Sequence, residues 1–114
     1  MKLECVEESF GLVVTVPEAR IDASVAIQFK DQMRDVTQDV QGRIVLDMGN
    51  VEFVDSSGLG AIVAALKHLQ DGQQMELAAL SPTVAKVFRL TRMDKVFPIH
   101  ASVADVAGAM ANAS

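Results

Sequence analysis

Aliphatic runs of strand length alternate along this chain with longer segments in which apolar residues recur at helical spacing. Residues 43–48 and 75–80 are two such runs. Between them, the residues that recur at the spacing of one helical face are Leu59, Ile62, Val63, Leu66 and Leu69. We therefore expect a helix from about residue 57 to residue 70. A strand, a helix and a strand in succession predict parallel strands joined by a right-handed crossover.

The chain before residue 43 predicts an antiparallel pair of strands and a first helix. Two β-prone runs, residues 3–7 and 12–16, flank a polar turn that contains glycine, which is typical of a hairpin. Asp22 and Ser24 then offer side-chain oxygens that could cap a helix. The apolar stripe of that helix is Ala26, Phe29, Met33, Val36 and Val40. Its spacing predicts an amphipathic helix that ends near Gln41.

The last third of the chain predicts two more helices and a short extended segment. Ser81 followed by Pro82 is typical of a helix start, with serine as the N-cap and proline at the first helical position. Residues 97–99 indicate an extended segment, and the spacing of Ser102 and Asp105 suggests a capping box before a final Ala-rich helix. The predicted fold class is therefore α/β, a mixed sheet of four to five strands opened by an antiparallel pair, with about four helices packed on it.

Composition limits the size, location and partners of the protein. A chain of 114 residues buries roughly 65% of its unfolded surface, so we expect one domain spanning residues 1–114. The net charge of −5 and the dispersed basic residues argue against a nucleic-acid partner. The apolar stretches are too short to span a bilayer, and the first residues do not resemble a signal peptide. We expect a cytoplasmic protein with no direct membrane insertion. The single Cys5 excludes an internal disulfide and a cysteine-based zinc or redox motif.

The segment 51–60 brings two hydroxyls and a carboxylate to a predicted junction between a strand and a helix. Asp55, Ser56 and Ser57 stand where the helix presents unpaired backbone N–H groups and the positive end of its dipole. Such a position accepts a phosphate or another anion. A serine here can act as a cap, an anion ligand or a phosphorylation target.

Common catalytic and nucleotide-binding motifs do not fit this segment. A serine hydrolase needs a base beside its nucleophile, but the chain holds only His68 and His100, and Asp55 occupies the wrong position for a nucleophile elbow. No Walker lysine is present, and Val63 stands where a dinucleotide fingerprint needs its third glycine. We therefore expect no enzymatic activity, no cofactor and no metal.

Helix capping alone accounts equally well for Asp55 and Ser56. It does not account for the whole string, in which a second hydroxyl follows and two glycines flank Leu59. Gly58 and Gly60 each lower helix propensity by up to about 1 kcal/mol relative to alanine. That cost suggests a backbone that needs a close approach or room.

The run from Ile44 through Asp47 and the string Phe53-Val54-Asp55-Ser56-Ser57-Gly58-Leu59-Gly60 resemble the signature of STAS domains, named for sulfate transporters and anti-sigma factor antagonists. The segment 20–23 is similar to that family's turn before the first helix, and the order of elements covers nearly the whole chain. One departure is Ala19, where the family usually has glycine. A positive backbone torsion would be strained there.

The resemblance implies a STAS-like fold and a bacterial anti-sigma factor antagonist that works by partner switching. By that resemblance, Ser57 is phosphorylated by a cognate anti-sigma factor that is also a serine kinase, and a serine phosphatase reverses the modification. Ser56 is expected to cap the helix, and Asp22 and Asp55 to shape the site. The expected partner-binding residues are Asp22, Asp55, Ser56, Ser57, Gly58 and Leu59.

Two other functions stay open at this point. A constitutive STAS scaffold, or an accessory subunit of a transporter complex, would use the same surface without modification of the serine. Binding of a small molecule or nucleotide at the helix end is the third possibility.

Overall fold

The computed structural model describes residues 1–106. The elements are β1 (Glu4–Glu8), β2 (Gly11–Thr15), β3 (Arg20–Ile21), α1 (Ala26–Thr37), β4 (Gly42–Asp47), β5 (Phe53–Val54), α2 (Ser56–Lys67), β6 (Gln73–Ala78), α3 (Pro82–Leu90), a 3₁₀ turn (Met93–Lys95) and β7 (Ile99–His100). Residues 103–106 are helical. The amide of Asp105 donates to Ser102 Oγ, as the predicted cap requires. The remainder of the predicted Ala-rich helix lies outside the described residues.

The main sheet has five strands in the order β1-β2-β4-β6-β7. β1 pairs antiparallel with β2, and every other neighbouring pair is parallel. This arrangement confirms the predicted α/β fold with its antiparallel opening. β3 and β5 form a separate parallel pair of two residues each.

One face of the sheet carries the larger hydrophobic core. Alternate residues of β2, β4 and β6 point to this face and meet apolar residues from all three long helices. The helical contributors are Phe29 and Met33 from α1, Ala61, Ile62 and Ala65 from α2, and Val84 and Phe88 from α3. The core is aliphatic with a few phenylalanines, and it fixes the helices against the sheet.

The other face combines a small apolar cluster with a polar trio built around one buried carboxylate. Arg43 donates from Nε and Nη2 to the two carboxylate oxygens of Glu76, at 2.6 and 2.7 Å, and His100 Nε2 lies 2.7 Å from Glu76 Oε1. Glu76 is only 2% exposed. The Arg43 guanidinium, and then the His100 ring, lower the pKa of this carboxyl below its usual value. Because both carboxylate oxygens are hydrogen-bonded, the buried charge is fully paired.

Several of the predicted helix and strand ends are wrong in detail. α2 ends at Lys67 and not near residue 70. α1 ends at Thr37 and not near Gln41, because Gln73 Nε2 donates to the carbonyls of Thr37 and Val40 and so satisfies the helix end. β6 ends at Ala78 and not at Leu80, since Ala79 adopts a positive φ of 63°. At the third helix, by contrast, Ser81 and Pro82 occupy the predicted N-cap and first position.

Candidate functional site: the carboxyl ends of β3 and β5

The two short strands β3 and β5 bring distant polar residues together. Ile21 pairs with Val54, and both side chains are buried. Asp22 and Asp55 follow these two residues directly, so they leave the same edge of a parallel pair. The amide of Asp55 donates to the carbonyl of Ile21 at 3.4 Å. This register brings the two acidic residues to the same end of the strand pair.

Asp55 is the N-cap of α2. Its backbone is extended, with φ −95° and ψ −175°, and its Oδ1 accepts a hydrogen bond of 2.8 Å from the amide of Gly58. Ser56 is already the first helical residue. The capping role expected for Ser56 is therefore wrong, because an N-cap needs an extended backbone and a side chain that reaches the third helical amide.

Gly58 lies against the backbone of β3. A Cβ atom at this position would stand 1.8 Å from the carbonyl oxygen of Ile21, which no side chain tolerates. This contact confirms the close approach expected from the glycine pair, but only for Gly58. At Gly60 a Cβ would meet no atom within 4 Å. The first turn of α2 therefore packs directly on the strand that delivers Asp22.

The hydroxyl of Ser57 is open to solvent. Both Ser56 and Ser57 are exposed, and within residues 1–106 neither side chain makes a hydrogen bond. Ser57 occupies the second position of α2, within the turn where the helix dipole favours negative charge. Leu59, two residues on, is half-buried against the core. The chemistry open to Ser57 is that of an accessible alcohol at the positive end of a helix.

Asp22 is held in its own tight turn. Its Oδ1 accepts from the amide of Ser24 at 3.0 Å and from the Ser24 hydroxyl at 2.5 Å. The Ser24 hydroxyl bond is the main cause that lowers the pKa of Asp22 below its usual value, and Arg20 contributes further. The capping of α1 expected from Asp22 and Ser24 is wrong: Val25 is the N-cap and no side chain caps it. The Asp22 carboxylate is therefore hydrogen-bonded within its own turn.

The sequence reading missed an arginine that borders this site. Arg20 Nε lies 3.4 Å from Asp22 Oδ2, and its guanidinium stands 4.2 Å from the centre of the Phe53 ring. Arg20 and Phe53 are paired residues in β3 and β5. Only the pairing of the two strands reveals this stack, because the residues are 33 positions apart in the sequence. Ala19, just before it, has no positive φ, so the departure from the family pattern causes no strain.

The histidines lie away from the two serines. His68 is the C-cap of α2, eleven residues after Ser57 and so about 16 Å along the helix at ~1.5 Å per residue. His100 lies 2.7 Å from buried Glu76 on the other face of the sheet. Within residues 1–106, no group of three or more His, Cys, Asp or Glu side chains is arranged to hold a metal ion. None of the helices in that range is long and apolar enough to cross a bilayer.

A family model for the STAS domain matches residues 5–106, nearly the whole chain. The chain belongs to the STAS domain family. That match includes β3, β5 and the first turn of α2, where Asp22, Asp55 and Ser57 lie.

Relatives and a solved structure of similar length support the family assignment. The chain is 32% identical over 81 residues to the anti-sigma-B factor antagonist of Listeria monocytogenes, covering 69% of this chain and 70% of the relative. It is 29% identical over 96 residues to the anti-sigma F factor antagonist of Paenibacillus polymyxa, covering 82% of each. A STAS domain protein structure from Planctomyces limnophilus has a TM-score of 0.86 at 22% identity, covering 97% of this chain and 99% of that one. This structural likeness supports the fold.

Proposed function

We propose that this STAS domain is an anti-sigma factor antagonist that acts without catalysis and is controlled by phosphorylation of Ser57. In its unmodified form it binds an anti-sigma factor that is also a serine kinase. Phosphorylation by that kinase releases it, and a serine phosphatase restores the binding form. The observation that carries the proposal is the exposed hydroxyl of Ser57, which makes no hydrogen bond within residues 1–106 and stands at the start of α2, at the end of the strand pair that Asp22 and Asp55 follow.

The site tolerates a phosphate within the folded monomer. A phosphoserine adds about −1.5 to −2 charges and three acceptor oxygens. The helix dipole favours negative charge at Ser57, while Asp22 and Asp55 oppose it. Because Ser57 points to solvent, no core atom has to move. The fold should therefore survive modification with little change in stability.

The cost of the phosphate falls on the complex. A partner surface shaped to meet neutral hydroxyls would meet a doubly charged group beside two carboxylates. A penalty of only about 3 kcal/mol lowers affinity more than a hundredfold. The names of the relatives support an anti-sigma factor as the partner.

Incubation with an anti-sigma factor kinase from the same genome and ATP, followed by peptide mass spectrometry, tests the acceptor. We expect phosphate on Ser57, none on the Ser57→Ala variant, and unimpaired modification of Ser56→Ala. Phosphate confined to Ser56, or absent, would contradict the assignment. A serine phosphatase of the same pathway should return the modified protein to its binding form.

Affinity measurements test the charge mechanism. We expect Ser57→Ala to bind the kinase as wild type does and Ser57→Asp to bind at least tenfold more weakly. Equal affinities for the two variants would favour a constitutive scaffold, in which the serine need not be modified.

A further inference from the structure

Four of the ten basic residues of this acidic chain lie within ten positions. They are Lys86, Arg89, Arg92 and Lys95. Asp94 is the only acidic residue in that stretch, so segment 86–95 carries +3 while the rest of the chain carries −8. The expectation of dispersed basic residues is therefore wrong for this segment.

The basic residues and two apolar side chains are exposed around the end of α3. Val84 and Phe88 face the core, whereas Arg89 and Leu90, three and four residues after Lys86, lie with it on the opposite, exposed side. Leu90 is 74% exposed, and Val96, just after the 3₁₀ turn, is 47% exposed. We call Lys86, Arg89, Leu90, Arg92, Lys95 and Val96 the α3 patch.

The basic side chains of the α3 patch form no ion pairs within the described part of the chain. The ion pairs found between residues 1 and 106 involve the amino terminus, Arg20, Arg43 and His100 as cations. Lys86, Arg89, Arg92 and Lys95 appear in none of them. A patch with two exposed aliphatic side chains and four cations that form no ion pair within residues 1–106 is complementary to an acidic surface with an apolar recess.

The α3 patch belongs to the element that supports the phosphorylation segment. α3 packs against β5, and Val84 and Phe88 share one core cluster with Val54. Asp55 and the two serines follow Val54 directly. The start of α2 and α3 are thus held by the same short strand, β5, and one partner that spans both elements can contact the serine and the α3 patch.

We propose that the α3 patch is a second docking surface for the same anti-sigma factor kinase, and that the kinase presents an acidic surface to it. This inference rests on the proposed function. Leu90 supplies an apolar anchor, and the four cations accelerate the encounter and fix its orientation. A bounded protein surface can meet the patch alone, whereas a broad anionic bilayer would also repel the surrounding −8.

The acidic partner surface also explains how a phosphate on Ser57 acts at a distance. If the kinase carries negative charge opposite α3, a phosphate on Ser57 adds repulsion against a partner of like charge. The patch therefore attracts the kinase to the unmodified protein, and the phosphate opposes that attraction. Binding would become more sensitive to phosphorylation as ionic strength falls.

Stopped-flow association with the anti-sigma factor kinase tests the α3 patch. The test variant is Lys86→Glu/Arg89→Glu, and the matched control is Arg34→Glu/Lys67→Glu. Arg34, Lys67 and Arg89 are each the exposed basic residue in the last turn of a helix, so the reversals at these positions cost similar helix stability. We expect the patch variant to associate at least tenfold more slowly at 50 mM salt, with a flatter salt dependence, and the control to stay within threefold of wild type. Thermal unfolding of both variants verifies folding.

A second variant, Leu90→Ser, keeps the charges and removes the anchor. We expect it to dissociate faster with an unchanged association rate. Suppose that the wild type binds the kinase and is phosphorylated on Ser57. Equal association rates for the patch and control variants would then overturn the docking surface and leave the proposed function intact. A wild type that neither binds nor accepts phosphate would overturn both. Patch-dependent binding to phosphatidylglycerol vesicles, with kinase binding unaffected, would assign the patch to a membrane and overturn the inference.

Discussion

Two polar clusters of this protein are built in opposite ways. Asp22, Asp55 and Ser57 lie at the rim of β3 and β5, where the serine is exposed and unbonded among the described residues. Arg43 and His100 enclose the buried carboxylate of Glu76 on the far face of the main sheet. The first cluster can gain charge without disturbing the fold. The second cannot lose a charge without leaving its partners unpaired.

Under the proposed function, the Ser57 cluster serves regulation, whereas the Glu76 cluster serves stability. Water screens a new charge at the rim, so a modification there changes binding more than folding. Loss of one charge from the pair of Arg43 and buried Glu76 costs several kilocalories per mole, because the remaining charge keeps its desolvation penalty. A variant of the Glu76 cluster should therefore leave partner binding unchanged, and a variant at Ser57 should leave the stability of the fold unchanged.

The largest effect is expected from Glu76→Gln. Gln keeps the volume but removes the charge opposite Arg43, and breaking such a buried pair costs about 3–5 kcal/mol. We expect the lower end, about 3 kcal/mol, because Arg43 is partly exposed. Urea unfolding measures the loss, with the exposed Glu4→Gln as control. A loss below about 1 kcal/mol would contradict the role of Glu76 in stability. A changed affinity of the folded variant for the kinase would contradict the separation of the two clusters.

Acid should abolish the contribution of Glu76. Its folded pKa is lowered by Arg43, so the stabilisation is complete above the unfolded value of about 4.3 and is lost as the pH falls through the lower folded pKa. The stability difference between wild type and Glu76→Gln should be largest near pH 7 and shrink below pH 4. Urea titrations from pH 7 to pH 3 measure it, and a constant difference would contradict the ionised pair.

Gly58→Ala should destabilise by about 1–3 kcal/mol, because the added Cβ meets the Ile21 carbonyl and forces α2 away from β3. The matched control is Gly60→Ala, which meets nothing within 4 Å and should stabilise the helix by up to about 1 kcal/mol. Thermal unfolding of the two variants gives the signs. The same sign for both would show that the packing of α2 on β3 is not the limiting contact.

Asp55→Ala should cost about 1 kcal/mol of stability through the lost cap on Gly58. Ser56→Ala should stay within about 0.5 kcal/mol, since an exposed first-turn residue with no bond in the described chain loses little. Equal losses from the two variants in urea unfolding would return the capping role to Ser56.

The smallest change in stability is expected from Ser57→Asp. The helix dipole favours the new charge and the two carboxylates oppose it, so the free energy of unfolding should move by less than about 0.5 kcal/mol. Chemical denaturation compares the variant with Ser57→Asn, which has the same shape without the charge. A large loss would mean that the modification acts by unfolding and not through the interface.

Local patterns in the sequence were enough to predict much of the fold. The aliphatic run at 43–48 and the helical spacing after residue 57 predicted β4 and α2 nearly in place, because burial of one face imposes a period on the chain. Ser81 and Pro82 predicted the start of α3 because capping depends on neighbouring residues only. The polar string after Val54 marked the candidate segment because its motif also consists of neighbouring residues.

Contacts between distant segments decided what the sequence could not. Asp55 rather than Ser56 caps α2 because β3 holds Asp55 extended, and Gly58 is needed because Ile21, 37 positions earlier, lies against it. The stack of Arg20 on Phe53 arises from strand pairing alone. The sequence by itself determined the order of the elements and the residues offered to a partner. Only the tertiary structure decided which of them are held, buried or free, because strand register and backbone packing join residues that no local pattern connects.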